Sequence, residues 1–190
     1  THRYSSAASD VYKRQIEFLI ENDFRPIVYD NRDTGLSSRI QNDSFNKENV
    51  NKTIIRNYIR YYLRLPIKSE YTIDDMADDG VSVLDHLNIE NAHILGISMG
   101  GMIAQIMASS YPEKTKTFTL IASTASTPSP FNGPSKDVRR LFIERTKNVD
   151  ATIEDRINRT KKLFKLIGYQ GIDLDTQEFS NNVKLSIERG

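Results

Sequence analysis

His93-Ile94-Leu95-Gly96-Ile97-Ser98-Met99-Gly100-Gly101-Met102-Ile103-Ala104-Gln105 is the stretch whose reading decides the fold. His93-Ile94-Leu95 is a short β-branched and aliphatic run of the kind that forms a buried strand. Gly96–Gly101 is a glycine-rich turn, and Met99–Ser110 then reads as a helix stopped before Pro112. Gly96-Ile97-Ser98-Met99-Gly100 fits G-x-S-x-G. The letters alone are a weak signal; a strand before and a helix after give them mechanical meaning. In so tight a turn Ser98 is expected to be strained, with its hydroxyl pushed above the sheet. Glycine at 96 and 100 is expected to relieve clashes, and Gly101 to let the helix approach the sheet. The free N–H groups and dipole at a helix start favour negative charge, which makes the Met99 N–H a candidate oxyanion donor. The competing reading is a turn that only packs tightly or holds a phosphate. Neither phosphate fingerprint is present: there is no G-x-G-x-x-G and no Lys-Ser/Thr after the glycines.

The flanking sequence places this turn in an alternating pattern. Upstream, Thr72 with Asp75 three residues on is a helix start, and Ile73, Met76, Ala77, Val81, Leu84 and Leu87 keep helical spacing on one face. Lys47–Leu65 reads as a helix ended by Pro66, with Arg56, Arg60 and Arg64 as a solvated flank beside its tyrosines. Asp30–Arg39 is a loop, Ile27-Val28-Tyr29 a short strand, and Ile16–Asn22 the end of an amphipathic helix. Downstream, Phe118–Ala122 is a strand and Pro128–Pro134 a linker. Helices are expected at Asp137–Thr146, Ile153–Ile167 and Phe179–Ile187. Strands interleaved with helices predict an α/β fold with a parallel sheet, and the helical tail predicts a lid.

Composition narrows the function. The 190 residues carry no Cys, which excludes disulfides, thiolate catalysis and Cys-type zinc sites. A net charge of +1 argues against a chain whose main partner is nucleic acid or an anionic membrane. No apolar run approaches the ~18–20 residues that span a bilayer. Thr1–Gln15 has neither periodicity nor the apolar core of a secretory signal; a cytoplasmic location is expected, with a signal peptide ahead of the true start left open. Ser5–Gln15, SSAASDVYKRQ, looks like the in-frame translation of a transposase adapter used in sequencing libraries. On that reading residues 1–15 are a non-native leader, the true start is missing, and the remainder has a net charge of −1. The expected organisation is then a partial core over 16–127 and an incomplete helical lid over 128–190.

The motifs resemble those of the α/β-hydrolase superfamily, in its proline-iminopeptidase and polyketide-methylesterase branch. Asp30-Asn31-Arg32-Asp33-Thr34-Gly35-Leu36-Ser37 is similar to the family's D-x-R-x-x-G-x-S loop after strand 4. Tyr71–Met76 followed by Gly96–Gln105 is similar to its helix-to-elbow stretch. Asp33 departs from the glycine usual in iminopeptidases and leans towards the esterase side. Asp30 and Arg32 read as an ion pair that stabilises the turn. The resemblance implies a partial α/β-hydrolase fold carrying the family's strands 4, 5 and 6. In the family's sheet order strand 3 lies between 4 and 5. The sheet is therefore expected either to leave a gap beside strand 4 or to pair strands 4 and 5 directly.

The resemblance also implies a chemistry: acyl-enzyme hydrolysis of a small carboxylic ester by the full-length parent, with Ser98 as nucleophile and Met99 as backbone oxyanion donor. A proline-iminopeptidase-like activity and a non-catalytic ligand-binding role on the same fold stay open beside it. No metal or organic cofactor is implied, the partner is a small molecule, and oligomeric state is open. A serine hydroxyl needs a base, normally a histidine oriented by a carboxylate, in the chain order Ser, acid, His. The three histidines are His2, His86 and His93, and none follows Ser98. His93 is expected in a core or interface, and His86 in the last turn of its helix. The triad acid and base are thus expected outside these residues, with the 190-residue chain itself inactive. Ser135–Leu166 carries ten Lys/Arg against five Asp/Glu, read as an ordinary solvated face.

Overall fold

The computed structural model describes residues 13–40, 56–57, 59–67, 69–125, 135–147, 151–168, 171 and 173–189. Within them the order is α1 (Lys13–Glu21), α2 (Ile73–His86), β1 (Ala92–Ile97), α3 (Met99–Ser110), β2 (Thr115–Ile121), α4 (Lys136–Lys147), α5 (Ile153–Ile167) and α6 (Gln177–Arg189). The expected helix over 47–65 is seen as helical residues at 56–57 and 59–62, its first half lying outside the described residues. The Pro128–Pro134 linker and residues 1–12 of the leader also lie outside them. Helix α1 is described from Lys13, so it includes Lys13, Arg14 and Gln15 ahead of the expected Ile16, with a Lys13–Glu17 pair at 3.8 Å. Among the described residues no helix is long and apolar enough to cross a membrane.

The chain forms two compact units, Gln41–Asn132 and Thr1–Ile40 with Gly133–Gly190. The first is organised by α2. The Thr72 hydroxyl accepts the Asp75 N–H at 3.2 Å and the Asp75 carboxylate accepts the Thr72 N–H at 2.6 Å, a reciprocal cap for two otherwise orphaned donors. The predicted apolar face then buries Met76, Ala77, Val81 and Leu84 against Ile103 and Met107 of α3. Polar ties reinforce that packing: Tyr111 donates its hydroxyl to Asp78 at 2.5 Å, and Lys114 pairs with Asp85. The phenol of Tyr111 is held above its ordinary pKa, chiefly by that bond to a carboxylate.

Strands β1 and β2 pair in parallel, from Ala92 opposite Thr115 to Ile97 opposite Ile121. Their connection runs through α3, the βαβ crossover that parallel pairing requires. Ala92, Ile94 and Gly96 alternate with the exposed His93 and Leu95, so one face of β1 is covered. The strand expected at Ile27–Tyr29 is not formed: residues 24–30 have no strand pairing. A β-branched run supplies the shape of a strand, but the strand itself exists only when a neighbour takes its hydrogen bonds. The two described strands pair with each other, and no third described segment pairs with either.

In the other unit, residues 30–40 form a self-contained loop. The Asp30 carboxylate accepts the Leu36 N–H at 3.0 Å, and Ser37 donates its hydroxyl to the Asp30 carbonyl at 2.6 Å. Asp33 has φ 63, a backbone conformation that glycine adopts without strain. Its carboxylate accepts the Ile40 N–H at 2.6 Å, which gives the aspartate a local role in the loop. Gly35 has φ 52, and a Cβ there would lie 2.2 Å from the Asp30 carboxylate. Gly35→Ala is expected to destabilise by about 2 kcal/mol, combining left-handed strain with a displaced hydrogen bond. A lower urea midpoint at unchanged slope checks this.

Helices α4, α5 and α6 cover the three stretches in which the sequence predicted helices, α4 and α6 running slightly beyond the expected bounds. Thr152 and Asp155 repeat the reciprocal cap at the start of α5, and Phe164 meets Phe179 edge-to-face at 5.6 Å. Asp175 accepts from Lys165 and pairs with Lys161, both at 3.2 Å, and these hold its carboxyl below the usual range, Lys165 first. A lowered folded-state pKa stabilises above the unfolded value of ~3.9 and fades as pH falls through the folded value. The thermal midpoint of Asp175→Asn is therefore expected below wild type at pH 7, with the difference vanishing at pH values under that carboxylate range. A difference independent of pH would contradict it.

Candidate active site

The site is built where β1 hands over to α3. Ile97 ends the strand, Met99 begins the helix, and Ser98 alone makes the turn, with φ 53 and ψ −119. That is a strained conformation for a residue with a Cβ, costing about 1–3 kcal/mol, and it is held by its surroundings. The Ser98 N–H donates to the Ile121 carbonyl of β2 at 2.9 Å, and its carbonyl accepts the Gly101 N–H at 2.9 Å. Serine at a helix start ordinarily caps it with its hydroxyl. Here the Ser98 side chain makes no cap bond and is exposed. Its oxygen is thus presented to solvent rather than used by the helix.

The glycines divide differently from expectation. A Cβ on Gly96 would lie 2.2 Å from the Gly100 carbonyl oxygen and 2.6 Å from the Gly101 nitrogen, so this glycine is sterically required. A Cβ on Gly100 would meet nothing within 4 Å. The expected relief at position 100 is therefore corrected: the clash in this turn runs from residue 96 towards 100, and not the reverse. At Gly101 a Cβ would lie 2.4 Å from Ser123 Cβ, which confirms the close approach of α3 to the segment following β2.

The electrostatics of the turn come from the backbone. The first N–H groups of α3 have no partner within their own helix by geometry, and Met99 provides the first of them. Together with the dipole they make the space beside Ser98 favourable for a developing oxyanion. Among the described residues no group of three or more His, Asp or Glu is placed to hold a metal ion.

Neither described histidine reaches Ser98 from where its element puts it. His93 is the second residue of a strand that rises ~3.3 Å per residue, so it stands about 13 Å along the strand from Ile97. It is exposed rather than in a core, with Nδ1 2.8 Å from the Thr117 hydroxyl. His86 closes the last turn of α2, where a cation suits the dipole. That helix end leads through residues 87–91 to the start of β1, the end of the strand away from Ser98.

Two residues beside the elbow carried no role in the sequence. Gln105 donates from Nε2 to the Gly101 and Thr124 carbonyls, both at 3.2 Å. Ser123 Oγ is buried with no hydrogen-bond partner among the described residues. A polar residue two turns into an apolar helix is a visible signal at Gln105; nothing in the sequence marks Ser123.

The sequence model of the alpha/beta hydrolase fold matches residues 6–166. Two curated relatives are methylesterases. The chain is 26% identical to rhodomycin D methylesterase DnrP of Streptomyces peucetius, over 86% of this chain and 52% of that protein. It is 27% identical to rhodomycin D methylesterase DauP of Streptomyces sp. (strain C5), over 80% and 48%. The chain therefore spans about half the length of these relatives. Among solved structures, one from a study of carboxylesterases of the thaumarchaeon Nitrososphaera gargenis superposes with a TM-score of 0.56. That match has 20% identity and covers 93% of this chain and 52% of the other.

Proposed function

This chain belongs to the alpha/beta hydrolase family, and on that premise we propose that the whole protein is a serine hydrolase acting on a small carboxylic ester. The observation that carries the reading is the placement of Ser98. Its backbone is strained, its hydroxyl makes no cap bond and is exposed, and it stands at the start of α3. The Ser98 oxygen attacks the ester carbonyl while a histidine, contributed from outside these residues, takes its proton. The carbonyl oxygen becomes an oxyanion, and the Met99 N–H supplies one hydrogen bond to it. The alcohol leaves with the proton, and water then releases the acid from the acyl-enzyme.

Similarity to two methylesterases supports an ester, and specifically a methyl ester, over an amide. The chemistry needs side chains and backbone donors only, so no metal or organic cofactor enters the proposal. The test is a substrate panel on the complete protein: short acyl esters, methyl esters and N-terminal prolyl amides. Turnover of the esters, with the prolyl amides at least ~100-fold slower in kcat/KM, supports the proposal. Preference for prolyl amides identifies an iminopeptidase, and binding without turnover identifies a non-catalytic receptor on this fold. With no histidine after Ser98, the 190-residue chain alone is expected to turn over none of them.

A further inference from the structure

The strained turn at Ser98 is anchored by the neighbouring strand of the sheet. The Ser98 N–H donates to the carbonyl of Ile121, the last residue of β2, at 2.9 Å. The chain then leaves the sheet abruptly: Ala122 has φ 49, an unfavourable conformation for any residue with a Cβ. Ser123 follows, packed so closely on Gly101 that only a glycine fits there, with its hydroxyl buried and unpartnered. Residues 122–123 thus carry two unfavourable features in succession, and something must hold them. Gln105 does so. One amide nitrogen bonds the Gly101 carbonyl in the first turn of α3 and the Thr124 carbonyl beyond the strained pair, both at 3.2 Å.

We propose that Gln105 is a positioning residue for the nucleophile, clamping residues 121–124 onto α3 so that the Ile121 carbonyl stays in place for the Ser98 N–H. Without the clamp, Ala122 relaxes out of its left-handed conformation, Ser123 Oγ moves to find a partner, and the Ile121 carbonyl turns with them. Ser98 then loses the bond that fixes the plane of its own peptide, and with it the direction of its oxygen. The kinetic consequence rests on Ser98 acting as the nucleophile; the structural consequence does not.

The test is Gln105→Met in the complete protein, which keeps the side-chain length and helix preference and removes the donor. Two measurements are made together: kcat and KM for 4-nitrophenyl acetate, and amide hydrogen exchange at Ser98 and at Val81 in the core. The expected result is a fall in kcat of about tenfold at a KM within about twofold. Exchange at Ser98 is expected to be about tenfold faster, with exchange at Val81 unchanged. Unaltered exchange at Ser98, or equal acceleration at Ser98 and Val81, overturns the proposal. If wild type hydrolyses no ester, the hydrolase reading fails, and the exchange ratio alone decides the clamp. Should Gln105→Met not fold, Gln105→Asn carries the same two readouts, its amide one carbon short of Thr124.

Discussion

Replacing Ser98 by alanine in the complete protein is expected to lower kcat for ester hydrolysis by roughly 10⁴-fold or more, with stability nearly unchanged. The size follows from chemistry: without the oxygen no acyl-enzyme forms, and the backbone donors at the start of α3 can act only on direct attack by water. The unchanged stability follows from the structure. The Ser98 side chain caps nothing and is exposed, and alanine bears the same strain at φ 53 as serine does. A shift within about 0.5 kcal/mol is therefore expected. Rates and denaturation curves of the two proteins, measured side by side, check both halves. A variant that keeps most of its turnover would mean that the elbow is a packing device, the competing reading of its glycines.

Gly96→Ala should show the opposite pattern, with stability and activity lost together. The added methyl would sit 2.2 Å from the Gly100 carbonyl oxygen, 2.4 Å from its carbon and 2.6 Å from the Gly101 nitrogen. All three are backbone atoms of the first turn of α3, so no side chain can swing aside. The turn itself cannot retreat, because Gly101 is bonded to Ser98 in front and Ile103 and Met107 are buried in the core behind. A destabilisation of about 3 kcal/mol, the upper part of the range for overpacking, is expected in chemical denaturation. Gly100→Ala is the control. Its methyl meets nothing within 4 Å, and alanine is the better helix former by about 1 kcal/mol, so its stability should equal or exceed wild type. Equal losses in the two variants would show that the turn tolerates crowding at neither position.

Much of this molecule was legible residue by residue. Thr72 with Asp75, the spacing of Met76, Ala77, Val81 and Leu84, and the succession of Gly96, Ser98 and Gly101 all act within a turn or two of chain. Such interactions depend on which residues are near in sequence, so the sequence alone predicted the cap, the buried face and the strained serine. The same holds for α5, whose bounds match the expected Ile153–Ile167. Asp33 is an intermediate case. Its departure from the family glycine was visible, but only the folded backbone, with φ 63, shows that the position is a left-handed turn.

Tertiary structure decided what depends on partners far along the chain. Ile27–Tyr29 has the composition of a strand and is not one, because a strand is a property of two segments and composition describes one. Gly96 and Gly100 look equivalent as letters; they differ because the carbonyl that closes on residue 96 is placed by the course of α3. Gln105 meets Thr124, and Ser98 meets Ile121, across the length of a βαβ crossover. Sequence by itself therefore determined that a serine stands on a strained strand-to-helix turn. Which residues hold that serine still was settled only when folding brought the end of β2 against the start of α3.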